Sequence, residues 1–199
     1  VRTVLVDSGG ANLGSVRYAL ERLGVNAEVS GDAAVITAAD RVILPGVGAA
    51  GPGMARLREL GLVDVLRGLR QPLLGICLGM QLLFEGSDEG DETCLGLLPG
   101  RVRRMVGGPG LRVPHMGWNR LEPLRESPLL RGIAPGAQAY FVHGYAVAVD
   151  DNCVARSVHG QLLAALVQRG NVAGAQFHPE RSGAVGARLL ANFLEFGVA

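Results

Sequence analysis

The chain has no lysine. All 19 of its basic residues are arginine, which removes Schiff-base chemistry and the phosphate-gripping lysine of P-loop proteins, because both need a primary amine. Cysteine is scarce. Cys77, Cys94 and Cys153 make an odd count without a Cys-x-x-Cys pair. That argues against a disulfide framework or a zinc site and fits a reduced compartment. Excess charge of one sign is also missing: 18 acidic residues leave a formal net charge of +1, so neither nucleic acid nor an acidic membrane is expected as a partner. No run is long enough to span a membrane; the most apolar one, residues 73–84, is short and broken by glycine. Val1-Arg2-Thr3-Val4-Leu5-Val6-Asp7 is charged at once and reaches Asp7 too soon for a signal peptide, so a cytoplasmic location is expected.

What is present points to a packed α/β fold. Hydrophobic residues are 48% and charged residues 19% of the chain, a balance that excludes disorder. With no repeat, low-complexity segment or linker, one domain over residues 1–199 is expected. Thr3–Val6 reads as a strand and Asn12 as an N-cap. Leu13, Val16, Leu20 and Leu23 repeat at helical spacing up to Gly24. Val25–Ser30 reads as a strand, Val35–Ala39 as a helical turn, and Arg41–Leu44 as a strand ended by Pro45. Met54–Leu69 reads as one or two amphipathic helices breaking at Gly61. This order predicts a mixed, mostly parallel central sheet flanked by helices, with ligands beyond the carboxyl ends of its strands. After a polar, glycine-rich loop at residues 86–100, antiparallel texture sets in. Strands are expected at Ala139–Val142, Ala146–Val149, Asn152–Val158, Leu162–Gln168 and Val172–Gln176, the last two joined by an Arg169-Gly170-Asn171 turn. A helix over Gly183–Phe196 ends the chain.

The chemistry centres on Leu73–Phe84. Leu73, Leu74 and Ile76 read as a buried strand, and Met80, Leu82, Leu83 and Phe84 as the start of a buried helix. Between them Gly75-Ile76-Cys77-Leu78-Gly79 places a thiol at a sharp turn with a small residue two places to either side. Nucleophile elbows of hydrolases need that spacing because the turn brings backbone segments together. A free helix N-terminus beyond it favours a thiolate and any adjoining oxyanion. With 30 glycines in 199 residues, chance alone gives one of three cysteines these neighbours in about 7% of chains. A buried structural thiol is the bland alternative, so support must come from elsewhere.

Gly46-Val47-Gly48-Ala49-Ala50-Gly51 matches a dinucleotide fingerprint after a strand. Three features oppose that reading: it does not follow the first strand, Pro52 and Gly53 interrupt the helix that should begin there, and no acidic residue stands about twenty positions on. A plain loop is one alternative. Backbone N–H groups turned toward an oxyanion are another. A cysteine nucleophile also needs a base and the base an orienter. Of His115, His143, His159 and His178, only His178 follows an apolar strand with an acid, Glu180, two residues on. That pair suits the base and acid of a triad; His159 reads as a turn residue.

Together, Gly75-Ile76-Cys77-Leu78-Gly79-Met80-Gln81 and His178-Pro179-Glu180 resemble the class I (triad) glutamine amidotransferases. Asn12-Leu13, Leu44-Pro45-Gly46-Val47-Gly48, His115-Met116-Gly117-Trp118-Asn119 and Tyr140-Phe141-Val142-His143 narrow the resemblance to the glutaminase subunits of imidazole glycerol phosphate synthase. The glutaminase of pyridoxal phosphate synthase would share the triad but lack His-Met-Gly-Trp-Asn. A cysteine peptidase and a non-catalytic module are the more distant rivals. The resemblance implies hydrolysis of L-glutamine by Cys77, His178 and Glu180, with an oxyanion hole from Val47, Gly48 and Leu78. Gly46, Gln81, Gly144 and Tyr145 would bind substrate. It also implies a (β/α)₈-barrel cyclase partner that receives the ammonia, contacted through Asn12, His115, Trp118, Asn119, Tyr140 and Arg181. No cofactor or metal is implied. The chain departs from the family pattern at Ser8, Ala11, Gly144 and Arg181.

Overall fold

A computed structural model describes residues 1–10 and 12–197; the departure at Ala11 lies outside the described residues. The first half alternates strand and helix: β1 (Thr3–Val6), α1 (Leu13–Glu21), β2 (Glu28–Ser30), α2 (Ala33–Thr37), β3 (Arg41–Gly46), α3 (Ala50–Glu59), α4 (Val63–Arg67), β4 (Leu73–Cys77) and α5 (Leu78–Gln81). The second half is rich in strands: β5 (Gly86–Ser87), β6 (Glu92–Thr93), β7 (Arg101–Arg104), β8 (His115–Arg120), β9 (Glu122–Pro123), β10 (Gln138–His143), β11 (Tyr145–Ala146), β12 (Cys153–Val158), β13 (Leu162–Arg169) and β14 (Val172–Ala175). Helix α6 (Gly183–Glu195) follows.

Eight strands form the central sheet in the order β2-β1-β3-β4-β14-β13-β12-β9. From β2 to β14 the pairs are parallel; β13, β12 and β9 extend the sheet antiparallel. Successive side chains of a strand point to opposite faces. Leu5, Ile43, Leu74 and Ile76 therefore enter one core with Val16 and Leu20 of α1 and Leu189, Leu190 and Phe193 of α6. Val4, Val6, Val42, Leu44 and Leu73 enter the other, with Ile36, Met54, Leu57 and Leu66 of α2, α3 and α4. Burial on both faces is why the parallel strands read as unbroken apolar runs. The expected mixed, mostly parallel sheet with antiparallel strands in the C-terminal half is the one observed.

Several local expectations are corrected. Pro45 does not end β3 but lies inside it, level with Ile76. Its carbonyl accepts the Ser8 hydroxyl at 2.8 Å. A strand residue's N–H and C=O share a side, so the missing N–H faces β1 where that strand's pairing, which stops at Ile43, has run out. Pro52 and Gly53 do not interrupt a helix: α3 begins at Ala50 and runs through both. Pro52 sits in the first turn, where N–H groups lack intrahelical partners anyway. A Cβ on Gly53 would lie 3.1 Å from Leu82 Cδ1, so helix packing selects glycine there. Residues 86–100 are not a plain surface loop. They carry β5 and β6, and Cys94, Leu95 and Leu98 are buried. Strand β8 was not foreseen; its polar residues face both ways, which hid the alternation.

Arg41 opens β3 and is buried, yet its guanidinium donates to Phe193 O at 3.2 Å and Phe196 O at 2.9 Å. It thus meets the carbonyl end of α6, where cations are favoured. Replacing Arg41 with Leu should lower unfolding free energy by about 2–4 kcal/mol, because those carbonyls lose their donor inside the protein. Denaturant titration checks this; a change below about 0.5 kcal/mol contradicts it.

Candidate active site

Cys77 ends β4 and immediately precedes α5, with φ 53° and ψ −111°. That backbone conformation is costly for a residue with a side chain and is kept only where its surroundings impose it. The surroundings here are glycines. A Cβ on Gly79 would stand 1.8 Å from Leu44 O, and one on Gly75 would stand 2.6 Å from Gly79 O. The elbow closes only because both positions lack one. Helix α5 is shorter than expected, a single turn, and Leu82, Leu83 and Phe84 are buried beyond its end.

His178 reaches the same place from the other end of the chain. Strand β14 lies parallel to β4 with Ala175 level with Ile76. Cys77, the last residue of β4, and His178, just past the end of β14, therefore share a cavity of about 580 Å³. His178 is buried, its backbone N–H donates to Tyr140 O at 2.9 Å, and a short turn over Pro179–Arg181 folds Glu180 back beneath the ring. Nδ1 of His178 donates to Glu180 Oε1 at 2.8 Å, and the Glu180 side chain is fully buried. Burial opposes the imidazolium, but the Cys77 side chain and the Glu180 carboxylate outweigh it and raise the His178 pKa to about 10. Burial likewise opposes the Glu180 carboxylate. The His178 ring and the Asn12 carboxamide overcome it and hold the pKa below the usual value.

Most of the predicted site residues converge on this cavity. Val47, Gly48, Leu78, Gln81, Gly144 and Tyr145 line it with Cys77 and His178. Val47 is partly exposed and Gly48 has φ +94°, so the loop carries a conformation open to glycine alone at that point. Gly46 is not on the wall. It pairs with Cys77 across β3 and β4, and a Cβ there would lie 2.9 Å from Gly79 N. Close backbone approach, not ligand contact, requires that glycine. The six residues assigned to a partner surface divide. Asn12 and Arg181 line the cavity. Asn12 precedes α1 as expected but makes no side-chain cap; its Nδ2 donates instead to Glu180 Oε1 at 2.5 Å. His115 is buried and stacks between Phe141 and His159, so it is not a surface residue; His159 lies in the turn between β12 and β13, as expected, and its ring completes this stack. Trp118 and Tyr140 face each other across β8 and β10, with Trp118 exposed and ring centroids 5.8 Å apart. Asn119 is partly buried and donates to Val158 O at 2.8 Å.

Glu89 was not singled out from the sequence. It lines the cavity, and its carboxylate accepts the Ala50 N–H at 3.1 Å at the start of α3. An acid twelve positions past the elbow, inside a glycine-rich segment, gives no periodic signal; only the fold carries it to the wall. His143 is a second residue missed as site chemistry. It sits on the wall, donates from Nδ1 to Tyr145 O at 2.8 Å, and accepts at Nε2 from His115 Nδ1 at 3.0 Å. Burial drives His143 down to about 4, and burial with the neighbouring histidines drives His115 down to about 3. The pair is neutral, the opposite of His178.

The sequence pattern described as glutamine amidotransferase class-I matches residues 4–196. A relative from Xanthomonas euvesicatoria pv. vesicatoria, described as imidazole glycerol phosphate synthase subunit HisH, is 65% identical over 191 residues, covering 96% of each chain. One from Xylella fastidiosa with the same description is 62% identical and covers 98% of each. Among solved structures, one described as a glutamine amidotransferase superposes with TM-score 0.75 at 26% identity over 96% of this chain and 97% of its own. Another, a glutamine amidotransferase from Thermotoga maritima, shares the fold with TM-score 0.66 at 17% identity, covering 98% of this chain and 96% of its own.

Replacing Glu180 with Gln should lower the His178 pKa from about 10 toward 6.5, because the carboxylate that favours the imidazolium is gone. Ring-proton chemical shifts followed against pH give the measurement; a pKa still near 10 would assign the effect to Cys77 alone.

Proposed function

The chain belongs to the class-I glutamine amidotransferase family, and from that premise we propose that it hydrolyses L-glutamine for imidazole glycerol phosphate synthase through Cys77, His178 and Glu180. One observation carries the assignment of roles: a buried His178–Glu180 pair and a backbone-strained Cys77 share one cavity at the carboxyl ends of adjacent parallel strands. With its proton already passed to His178, the Cys77 thiolate attacks the side-chain amide carbon. The C–N bond breaks as His178 returns that proton to the leaving ammonia. Water then attacks the thioester, His178 accepts its proton, and glutamate leaves as the thiol re-forms. Glu180 fixes the ring tautomer and stabilises the imidazolium. An imidazole held protonated to about pH 10 is a ready acid for ammonia departure.

The oxyanion is assigned to the Leu78 N–H, the first of α5, and to an N–H of the Val47–Gly48 loop. Glycines on both sides of Val47 lower the cost of a peptide rotation, which supports a loop that turns its N–H inward when the partner signals. Glu89 suits the substrate α-ammonium, Gln81 and the Gly144–Tyr145 backbone its amino-acid end. Family coverage of residues 4–196 supports a single domain.

Ammonia released into water is mostly protonated and lost as a nucleophile. Delivery to a cyclase subunit, which makes imidazole glycerol phosphate and aminoimidazole carboxamide ribonucleotide in histidine biosynthesis, avoids that. Exposed Trp118 and Met116 on the short β8–β10 sheet suit the docking face. Three free, buried thiols support a reducing, cytoplasmic setting, and among the described residues no helix is long and apolar enough to cross a membrane.

In a mixture with a cyclase subunit, Cys77→Ala should abolish glutamine-dependent synthesis while synthesis from ammonium salts persists. Loss of both would mean that Cys77 is needed for folding or docking instead. His178→Ala should lower glutaminase turnover by about 10³-fold or more, and Glu180→Gln by less, since the orienter contributes less than the base. Equal losses, measured as glutamate release, would overturn that division.

A further inference from the structure

We infer that Gln176 is a further catalytic residue of this site: its carboxamide N–H donates to the Cys77 sulfur and favours the thiolate that attacks. The inference rests on the proposed role of Cys77. Gln176 follows β14 directly and is wholly buried, and its Nε2 lies 3.9 Å from Cys77 Sγ. A buried carboxamide is costly unless every polar atom finds a partner. Its Oε1 is satisfied by Gln81 Nε2 at 3.0 Å, which leaves the sulfur as the partner of its N–H.

The direction of that contact is dictated by a backbone carbonyl. Tyr145 O can only accept. It receives His143 Nδ1 at 2.8 Å and Gln81 Nε2 at 3.0 Å. The amino group of Gln81 must therefore face Tyr145, and the same amino group reaches Gln176 Oε1. Gln176 is then forced to present its own amino group to Cys77. Beyond His143, the His115 ring accepts at Nε2 from Asn119 Nδ2 at 3.2 Å and so keeps a proton on Nδ1 for His143. A neutral chain thus runs from Asn119 to the sulfur with each donor and acceptor fixed.

The contact distinguishes the two states of the nucleophile. As a thiol, Cys77 points to Val142 O at 3.7 Å and is a weak acceptor for Gln176. As a thiolate it can no longer donate to Val142, and the Gln176 N–H gains an ionised acceptor, which makes a stronger bond. The other titratable or charged groups around the sulfur are His178 with Glu180 behind it, His143, and Glu89, Tyr145 and Arg181 on the cavity wall.

The test uses the full chain with Gln176→Met, close in volume, and Gln176→Glu, which keeps the shape but loses the donor. Alkylation of Cys77 by iodoacetamide is followed from about pH 5 to about pH 10 by peptide mass; Cys94 and Cys153, pushed up to about 11 by burial, serve as slow internal references. Gln176→Met should move the Cys77 midpoint up by about one unit. With the cyclase present, kcat should fall about tenfold while KM stays within about twofold. Gln176→Glu should move the midpoint further, because a carboxylate repels the thiolate. An unchanged midpoint in either folded variant overturns the inference. If neither folds, the Gln176 side-chain amide signals of the unaltered chain should shift as Cys77 ionises; signals that stay fixed overturn it equally. Were Cys77→Ala to release glutamate normally, the catalytic reading of Cys77 would fail instead, a separate outcome from an unmoved Gln176 profile.

Discussion

The parallel pairing of β4 with β14 is the constraint on which the site depends. Those strands are separated by about half the chain, yet Ala175 sits level with Ile76. That register places Cys77, Gln176 and His178 together at the carboxyl end of the two central strands. A slip of one residue would turn every side chain of β14 to the opposite face. The slip is prevented from both sides of the sheet: Ala173 and Ala175 enter one core, and Val172 the other. A Cβ on Gly174 would meet Met80 Cγ at 2.7 Å, so this strand also leaves room for the residues just beyond the elbow. Hydrophobic packing thus sets the geometry that the polar residues use.

Around that end of the strands the protein keeps two kinds of histidine. His178 is beside a buried carboxylate and holds its proton; His115 and His143 have only one another, His159 and neutral acceptors, and lose theirs. Because the folded His178 pKa exceeds its unfolded value, its protonated form stabilises the fold fully below about pH 6.5, and that contribution fades as pH rises through about 10. Glu180 works in the reverse direction: its lowered pKa adds stability above the unfolded value, lost as pH falls through the folded one. Between those limits the pair is charged and matched. Asn12 ties the loop after β1 into the same pair, so two segments distant in sequence meet at one carboxylate.

Strain and close approach divide the glycines of the site into two functions. Gly75, Gly79 and Gly46 are needed because backbones meet where a Cβ would stand. Gly48 is needed for its φ of +94° and has open space around it. The first set lets the elbow's backbone segments close on one another; the second supplies beside it a conformation open to glycine.

Much of this was legible in the chain itself. Apolar runs at Thr3–Val6, Arg41–Leu44 and Leu73–Ile76 gave the parallel strands, because strands buried on both faces need no alternation. The glycine spacing about Cys77 and the two-residue step from His178 to Glu180 marked the chemistry, because both are local geometries written in a few adjacent residues. What the chain could not show were relations between segments distant in sequence. Pro45 reads as a strand ending until the neighbouring strand is seen to stop first. Pro52 reads as a helix breaker until the helix start is placed. Glu89 and Gln176 carry no motif, and Asn12 and His115 read as surface residues until folding turns one toward Glu180 and buries the other. Local sequence determined the elements and marked Cys77 at its turn; tertiary packing alone decided its neighbours, because a hydrogen bond depends on distance and direction in space, and neither is encoded at any single position.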